Sequence, residues 1–104
     1  MKTEKIKNAR TEELIARLAA AYIGHEASPQ SLITVRRVEL TDYGQAATIF
    51  ISVLPESEER AAVSFVEHHL GELREYVSAH SDLHTLPYLS VILEPEAKWP
   101  IGNK

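Results

Sequence analysis

Five histidines are the side chains of this sequence best suited to chemistry near neutral pH, because imidazole changes charge there and also binds zinc. His68 and His69 are neighbours, and on a helix two successive side chains diverge. His80, Asp82 and His84 alternate along the chain, so an extended backbone would point all three donors to one side. A structural zinc site needs a closed tetrahedral ligand set. Nothing else is placed to complete one here, and there is no cysteine to contribute a thiolate. No metal is expected. The acidic groups Glu58-Glu59 and Glu72 with Glu75 fall at helix starts and on solvent-facing positions, where carboxylates complement the helix dipole. No serine has a histidine and an acid in a recognisable arrangement, and no glycine-rich phosphate loop is present. The sequence therefore points away from an enzyme, and no cofactor is expected.

The remaining candidates are cations that could pair with phosphate: Lys5, Lys7, Arg10, Arg36, Arg37, Arg74 and Lys98. On a regular strand Arg36 and Arg37 point to opposite faces, so at most one belongs to any single binding surface. Residues 1–10 carry Lys2, Lys5, Lys7 and Arg10 against Glu4, while the whole chain has a net charge of −4, so the rest is acidic. A short basic arm on an acidic body allows local phosphate contacts, since these survive screening beyond ~8–10 Å. It is not the charge pattern of a strong non-specific nucleic-acid binder.

A chain of 104 residues can bury one modest core and reads as a single domain. No apolar run approaches the roughly 20 residues that span a bilayer, and the first residues lead into no apolar signal core. The absence of cysteine fits a reducing compartment, and a cytoplasmic protein is expected. Leu14, Ile15, Leu18, Ala19 and Tyr22 recur at three- and four-residue intervals and predict an amphipathic helix, opened by Thr11 as N-cap and ended by Gly24. Leu32–Leu40 and Ala47–Leu54 predict two strands, joined through the turn chemistry of Thr41-Asp42-Tyr43-Gly44. Ser57 is expected to cap a second helical segment. Its stripe of Ala62, Phe65, Val66, His69, Leu70, Leu73, Tyr76 and Val77 passes through Gly71. A helical glycine costs about 1 kcal/mol relative to alanine, so a kink or a close backbone approach is expected there. A last strand runs from Tyr88 to Leu93. The order α-β-β-α-α-β predicts an α+β domain of two layers, with a three-stranded sheet and helices on one face. Its core should include Leu14, Leu18, Ile49, Ile51, Phe65, Val66, Leu73, Leu89 and Val91. The expected division is a basic arm at 1–10, the domain at 11–94 and an irregular tail at 95–104.

The stretch from Val38 to Leu54 resembles the central hairpin of bacterial ribosome-binding factor A. Val38, Glu39, Leu40, Thr41, Ala47, Ile49, Phe50, Ile51, Ser52 and Leu54 fall on pattern positions of that family. Leu70-Gly71-Glu72-Leu73-Arg74, the run from Leu83 to Leu89, and Ser28-Pro29 resemble its later and earlier segments in the same order. The resemblance covers residues 10–94. It implies a KH-like fold of the variant that begins with a helix and lacks the Gly-x-x-Gly loop. The family's interhelical Ala-x-Gly is His69-Leu70-Gly71 here. The family's turn arginine is Asp42, its strand lysine is Thr48, and its arginine after Leu83 is His84. The implied function is maturation of the small ribosomal subunit by binding its immature form and its rRNA. Lys5, Lys7, Arg10, Arg36, Arg37, Gly71, Arg74 and His84 would form the RNA-binding set, with Arg74 on the exposed side of its helix. The expected partners are the small subunit and its rRNA, with no DNA, no membrane and a monomeric chain. The alternative is a small interaction domain that has lost RNA binding and uses Phe50 and Ile92 on the outer sheet face.

Overall fold

The computed structural model describes residues 2–94, with side chains from residue 8 onward. The expected tail at 95–104, with Lys98, lies outside the described residues. The elements are α1 (Lys2–Glu26), β1 (Leu32–Thr41), β2 (Ala46–Leu54), α2 (Glu59–His68), α3 (Leu70–Ala79) and β3 (Tyr88–Leu93), in the order α-β-β-α-α-β. They make an α+β domain with a three-stranded sheet.

β2 is the central strand. It pairs antiparallel with β1 and parallel with β3, the latter made possible by the helical crossover through α2 and α3. Ala47, Ile49, Ile51 and Val53 point inward from β2 and are buried, and Val38 and Val91 join them from the flanking strands. Against this face pack Ile15, Ala19, Tyr22 and Ile23 of α1, Ala62 and Val66 of α2, and Leu73 and Val77 of α3. Of the expected core, Ile49, Ile51, Val66, Leu73 and Val91 are buried, while Leu18, Phe65 and Leu89 are partly buried at its margin. Leu14 is only half-buried.

Helix boundaries differ from the expectation in three places. α1 begins at Lys2 and runs through Thr11, which is therefore not an N-cap. Lys, Glu and Ile before it are competent helix residues, and nothing in that stretch breaks the pattern. Gly24 does not end α1; the helix continues to Glu26, and Ser28-Pro29 follows, with the Gln30 N–H donating to Ser28 Oγ at 3.1 Å. Ser57 is not a cap either. It lies within a single 3₁₀ turn, Glu56–Glu58, ahead of α2.

The β1–β2 connection runs through three successive residues of positive φ, Asp42 and Tyr43 at 56° and Gly44 at 85°. Only the glycine adopts that region without steric cost. Tyr43 stands fully exposed at the tip. At the outer edge of β1 the Leu40 N–H donates to Glu12 Oε2 of α1 at 2.8 Å. This satisfies a donor that an edge strand would otherwise leave open for another chain.

Candidate nucleic-acid interface

The arginine pair on β1 is placed by an irregularity that alternation does not reveal. Val35 is opposite Ile51 and Arg37 is opposite Phe50, so Arg36 is an extra residue in the strand. Such a bulge resets the inward and outward alternation. Arg36 and Arg37 are both exposed and both reach Glu94, at the end of β3. The expectation of opposite faces is therefore wrong for this pair. Arg36 Nε lies 3.6 Å from Glu94 Oε1. Arg37 donates from Nε to Glu39 Oε2 at 2.9 Å and from Nη1 to the Glu94 carboxylate. Its guanidinium also lies 4.0 Å from the centre of the Phe50 ring. The hydrogen bonds to Glu94 and then Glu39 raise its pKa further above the ordinary arginine value. A phosphate at Arg37 must compete with two carboxylates.

Arg36 and Arg37 also line an open groove of about 410 Å³ between α1 and β1, together with Ala9, Glu12, Glu13 and Ala16. Arg10 is exposed on α1 next to Ala9 of this groove. The backbone of Lys5 and Lys7 belongs to the same helix, and their side chains lie outside the described ones. The structure thus gathers five of the candidate cations, by backbone position, on α1 and the neighbouring edge of the sheet.

The other candidates lie on α3 and the loop that follows it. α2 ends at His68 and α3 starts at Leu70. The break is at His69, with φ −107° and ψ 8°, two residues before the glycine expected to cause it. Such a conformation is open to any residue, so the junction does not require Gly71. Gly71 is exposed in the first turn of α3, and no atom lies within 4 Å of where a β-carbon would stand. Neither close packing nor a kink explains it. The junction is held instead by the histidines. His68 Nδ1 donates to the Ser64 carbonyl and His69 Nδ1 to the Phe65 carbonyl, each at 2.7 Å. Each ring bonds a carbonyl one turn back, and the Phe65 carbonyl is among the last four of α2, which a helix end leaves in need of partners.

Arg74 is not on the free side of its helix. It is half-buried and donates from Nε to the Pro87 carbonyl at 3.1 Å and from Nη2 to the Leu86 carbonyl at 3.0 Å. Its guanidinium lies 5.5 Å from the centre of the Tyr88 ring. The side chain ties α3 to the segment entering β3. His84 is exposed in that segment. Among the described residues no group of three or more His, Asp or Glu side chains could hold a metal ion. No described helix is long and apolar enough to cross a membrane.

Three residues that shape these surfaces carried no signal in the sequence. Glu94 is the shared carboxylate of both β1 arginines. Glu12 seals the strand edge. Glu72 accepts a 2.6 Å hydrogen bond from the Tyr22 hydroxyl, across fifty residues of chain. All three contacts depend on tertiary approach, which no local pattern encodes.

The helix-first order, the three-stranded mixed sheet and the one-sided helical layer define a KH-like α+β fold. No protein-family model matches the chain, and no curated protein matches it by sequence. Solved structures do match. The crystal structure of ribosome-binding factor A from Thermus thermophilus superposes with a TM-score of 0.74 at 22% identity, over 83% of this chain and 93% of that one. The solution structure of a putative ribosome-binding factor A from Thermotoga maritima gives 0.70 at 22% identity, over 83% and 85%. A model of the Thermus thermophilus protein, fitted into an electron-microscopy map of a 30S complex, gives 0.71 at 22% identity, over 82% and 92%. The chain therefore has the fold of ribosome-binding factor A.

Proposed function

We propose that this protein is a divergent ribosome-binding factor A that binds the immature small ribosomal subunit and supports its maturation. The observation that carries the reading is the match of fold across 93% of the Thermus thermophilus protein, joined to the ordered motifs between Val38 and Leu89. One of the similar structures is itself fitted into a 30S complex. The work is binding and release without covalent chemistry, by a cytoplasmic monomer that uses no cofactor. The RNA-facing surface is best supported along α1, where Arg10 is exposed on the helix whose backbone also carries Lys5 and Lys7, with Arg36 and Arg37 on the neighbouring β1 edge engaged by Glu94. Gly71 and His84 would extend it only if the RNA also reaches α3. Sedimentation of the tagged protein through sucrose gradients at low salt tests the reading. Association with free small subunits, and not with translating ribosomes, is expected. Protein confined to the particle-free fractions would refute it.

A second reading has one observation in its favour. Ile92 is 49% exposed on the outer sheet face beside Phe50, as a protein-interaction domain would need. Binding to a protein through this face would change little with salt, whereas binding to RNA weakens steeply as salt rises.

A further inference from the structure

Among the described residues, every phenylalanine and tyrosine ring but one has an aromatic or arginine partner. Tyr22 and Tyr76 pack on each other, Phe65 packs on His69, and Phe50 and Tyr88 lie against Arg37 and Arg74. The exception is Tyr43, which is 100% exposed at the tip of the β1–β2 connection. Its backbone has φ 56° and ψ 35°, in the left-handed region, where a bulky side chain is an outlier that costs free energy. The turn holds it there. The Gln45 N–H donates to the Asp42 carbonyl at 3.0 Å, and the Tyr88 N–H donates to the Gln45 carbonyl at 2.9 Å. No burial and no contact of the ring among the described residues offsets that cost.

The surroundings of the tip suit a nucleic-acid strand. α1 runs antiparallel to β1: Glu12 accepts from the Leu40 N–H, while Ile23 and Ala27 line a groove with Leu32 and Ile33. The stretch of α1 before Glu12 therefore lies at the turn's end of the sheet. Arg10 is exposed two residues before Glu12, about 3 Å along the helix axis. Tyr43 is three residues past Leu40, within about 11 Å of chain. A cation for the phosphate backbone and an uncovered ring for a base are the two parts of a single-strand platform. Asp42, next to the ring, is exposed and has no ion pair among the described residues. Its carboxylate repels a phosphate but accepts from the exocyclic amino group of a base such as cytosine. Uracil flanks its one donor on that edge with two carbonyl oxygens, which a carboxylate repels.

We propose that Tyr43 stacks on an unpaired RNA base while Arg10 holds the adjoining backbone, and that Asp42 favours a base with an exocyclic amino group over uracil. This rests on the ribosomal reading above and narrows its RNA to a single-stranded segment. Titration of the full chain with oligo(rC) and oligo(rU) octamers at low salt, followed by NMR, tests it. The signals of Asp42–Gly44 should move, with the Tyr43 ring protons shifted upfield, and oligo(rC) should bind about fivefold more tightly than oligo(rU). Tyr43→Gly should weaken oligo(rC) binding about tenfold, the loss of one stacked base. It should not lower the urea midpoint, since glycine adopts this φ without steric cost, so lost stacking is separated from a lost fold. Asp42→Asn, also tolerated at positive φ, should bring the two octamers within about twofold of each other, because an amide can both donate and accept. A tip that moves with neither octamer would overturn the proposal. So would unaltered oligo(rC) binding by Tyr43→Gly, equal affinities of the unaltered protein for the two octamers, or a tip that responds only to an added ribosomal protein. Failure of the ribosomal reading is seen separately, in gradients where the unaltered chain stays out of the small-subunit fractions.

Discussion

Arg74 shows how one residue can satisfy a motif and still do a different job. Its place after Leu70-Gly71-Glu72-Leu73 suggests a phosphate contact, but its fork is occupied by the Leu86 and Pro87 carbonyls. Hydrogen bonds from charged donors contribute about 1.5–3 kcal/mol when buried, and this group is only half-buried. Arg74→Ala should therefore lose about 1–2 kcal/mol of stability, read as a lower urea midpoint at unchanged slope. Arg74→Lys should recover little, because a single ammonium cannot reproduce the two-pronged geometry. Gly71 is the opposite case. With open space around its α-carbon and no positive φ, Gly71→Ala should stabilise the protein by up to about 1 kcal/mol, through helix propensity and a less flexible unfolded chain. A destabilised Gly71→Ala variant in the same denaturation series would show that the junction does need glycine. The sequence carried the apolar stripe around these residues. It could not show where Arg74 points, because its acceptors are backbone carbonyls that look the same in every residue type.

At the scale of elements, the three strands and the two later helices were legible because period-two and helical patterns follow from burial on one face. The β1 bulge was not legible, since one extra residue leaves composition and pattern almost unchanged while moving Arg36 and Arg37 to the same partner. Nor was the way α1 is locked onto α3. Tyr22 donates its hydroxyl to Glu72, and its ring lies 5.6 Å from Tyr76 and 6.4 Å from His69. Burial, and then the hydrogen bond to Glu72, push the Tyr22 phenol well above its ordinary pKa. The unfolded phenol ionises near pH 10, so below that value the contribution is fully present. Above it the unfolded state releases the proton and the folded state keeps it, and stability falls as pH rises. Tyr22→Phe should lose about 1 kcal/mol near neutral pH, the net worth of one hydrogen bond. Its stability should also decline less than that of the unaltered protein between about pH 9 and 11. Urea titrations at both ends of that range decide it, and equal declines would remove Tyr22 as the source.

For the whole molecule, the fold and the charge pull in different directions. The fold is that of a ribosome-binding factor, yet the net charge is −4, and the described arginines of β1 are held by carboxylates. An acidic body repels RNA at long range, so any attraction must be local, within a Debye length of about 8 Å at physiological salt. Arg10 meets that condition best among the described candidates, being exposed on the helix that also carries Lys5 and Lys7. Arg37 meets it least, because displacing Glu39 and Glu94 costs what phosphate would return. Arg10→Ala should then weaken particle binding and make its salt dependence shallower by about one counterion, with stability changed by no more than about 0.5 kcal/mol. Arg37→Ala should leave the salt slope nearly unaltered. Binding to purified small subunits over a series of salt concentrations separates the two. If Arg10→Ala binds with an unaltered slope while Arg37→Ala flattens it, the RNA displaces the carboxylates and the contact surface lies on the β1 bulge instead of on α1.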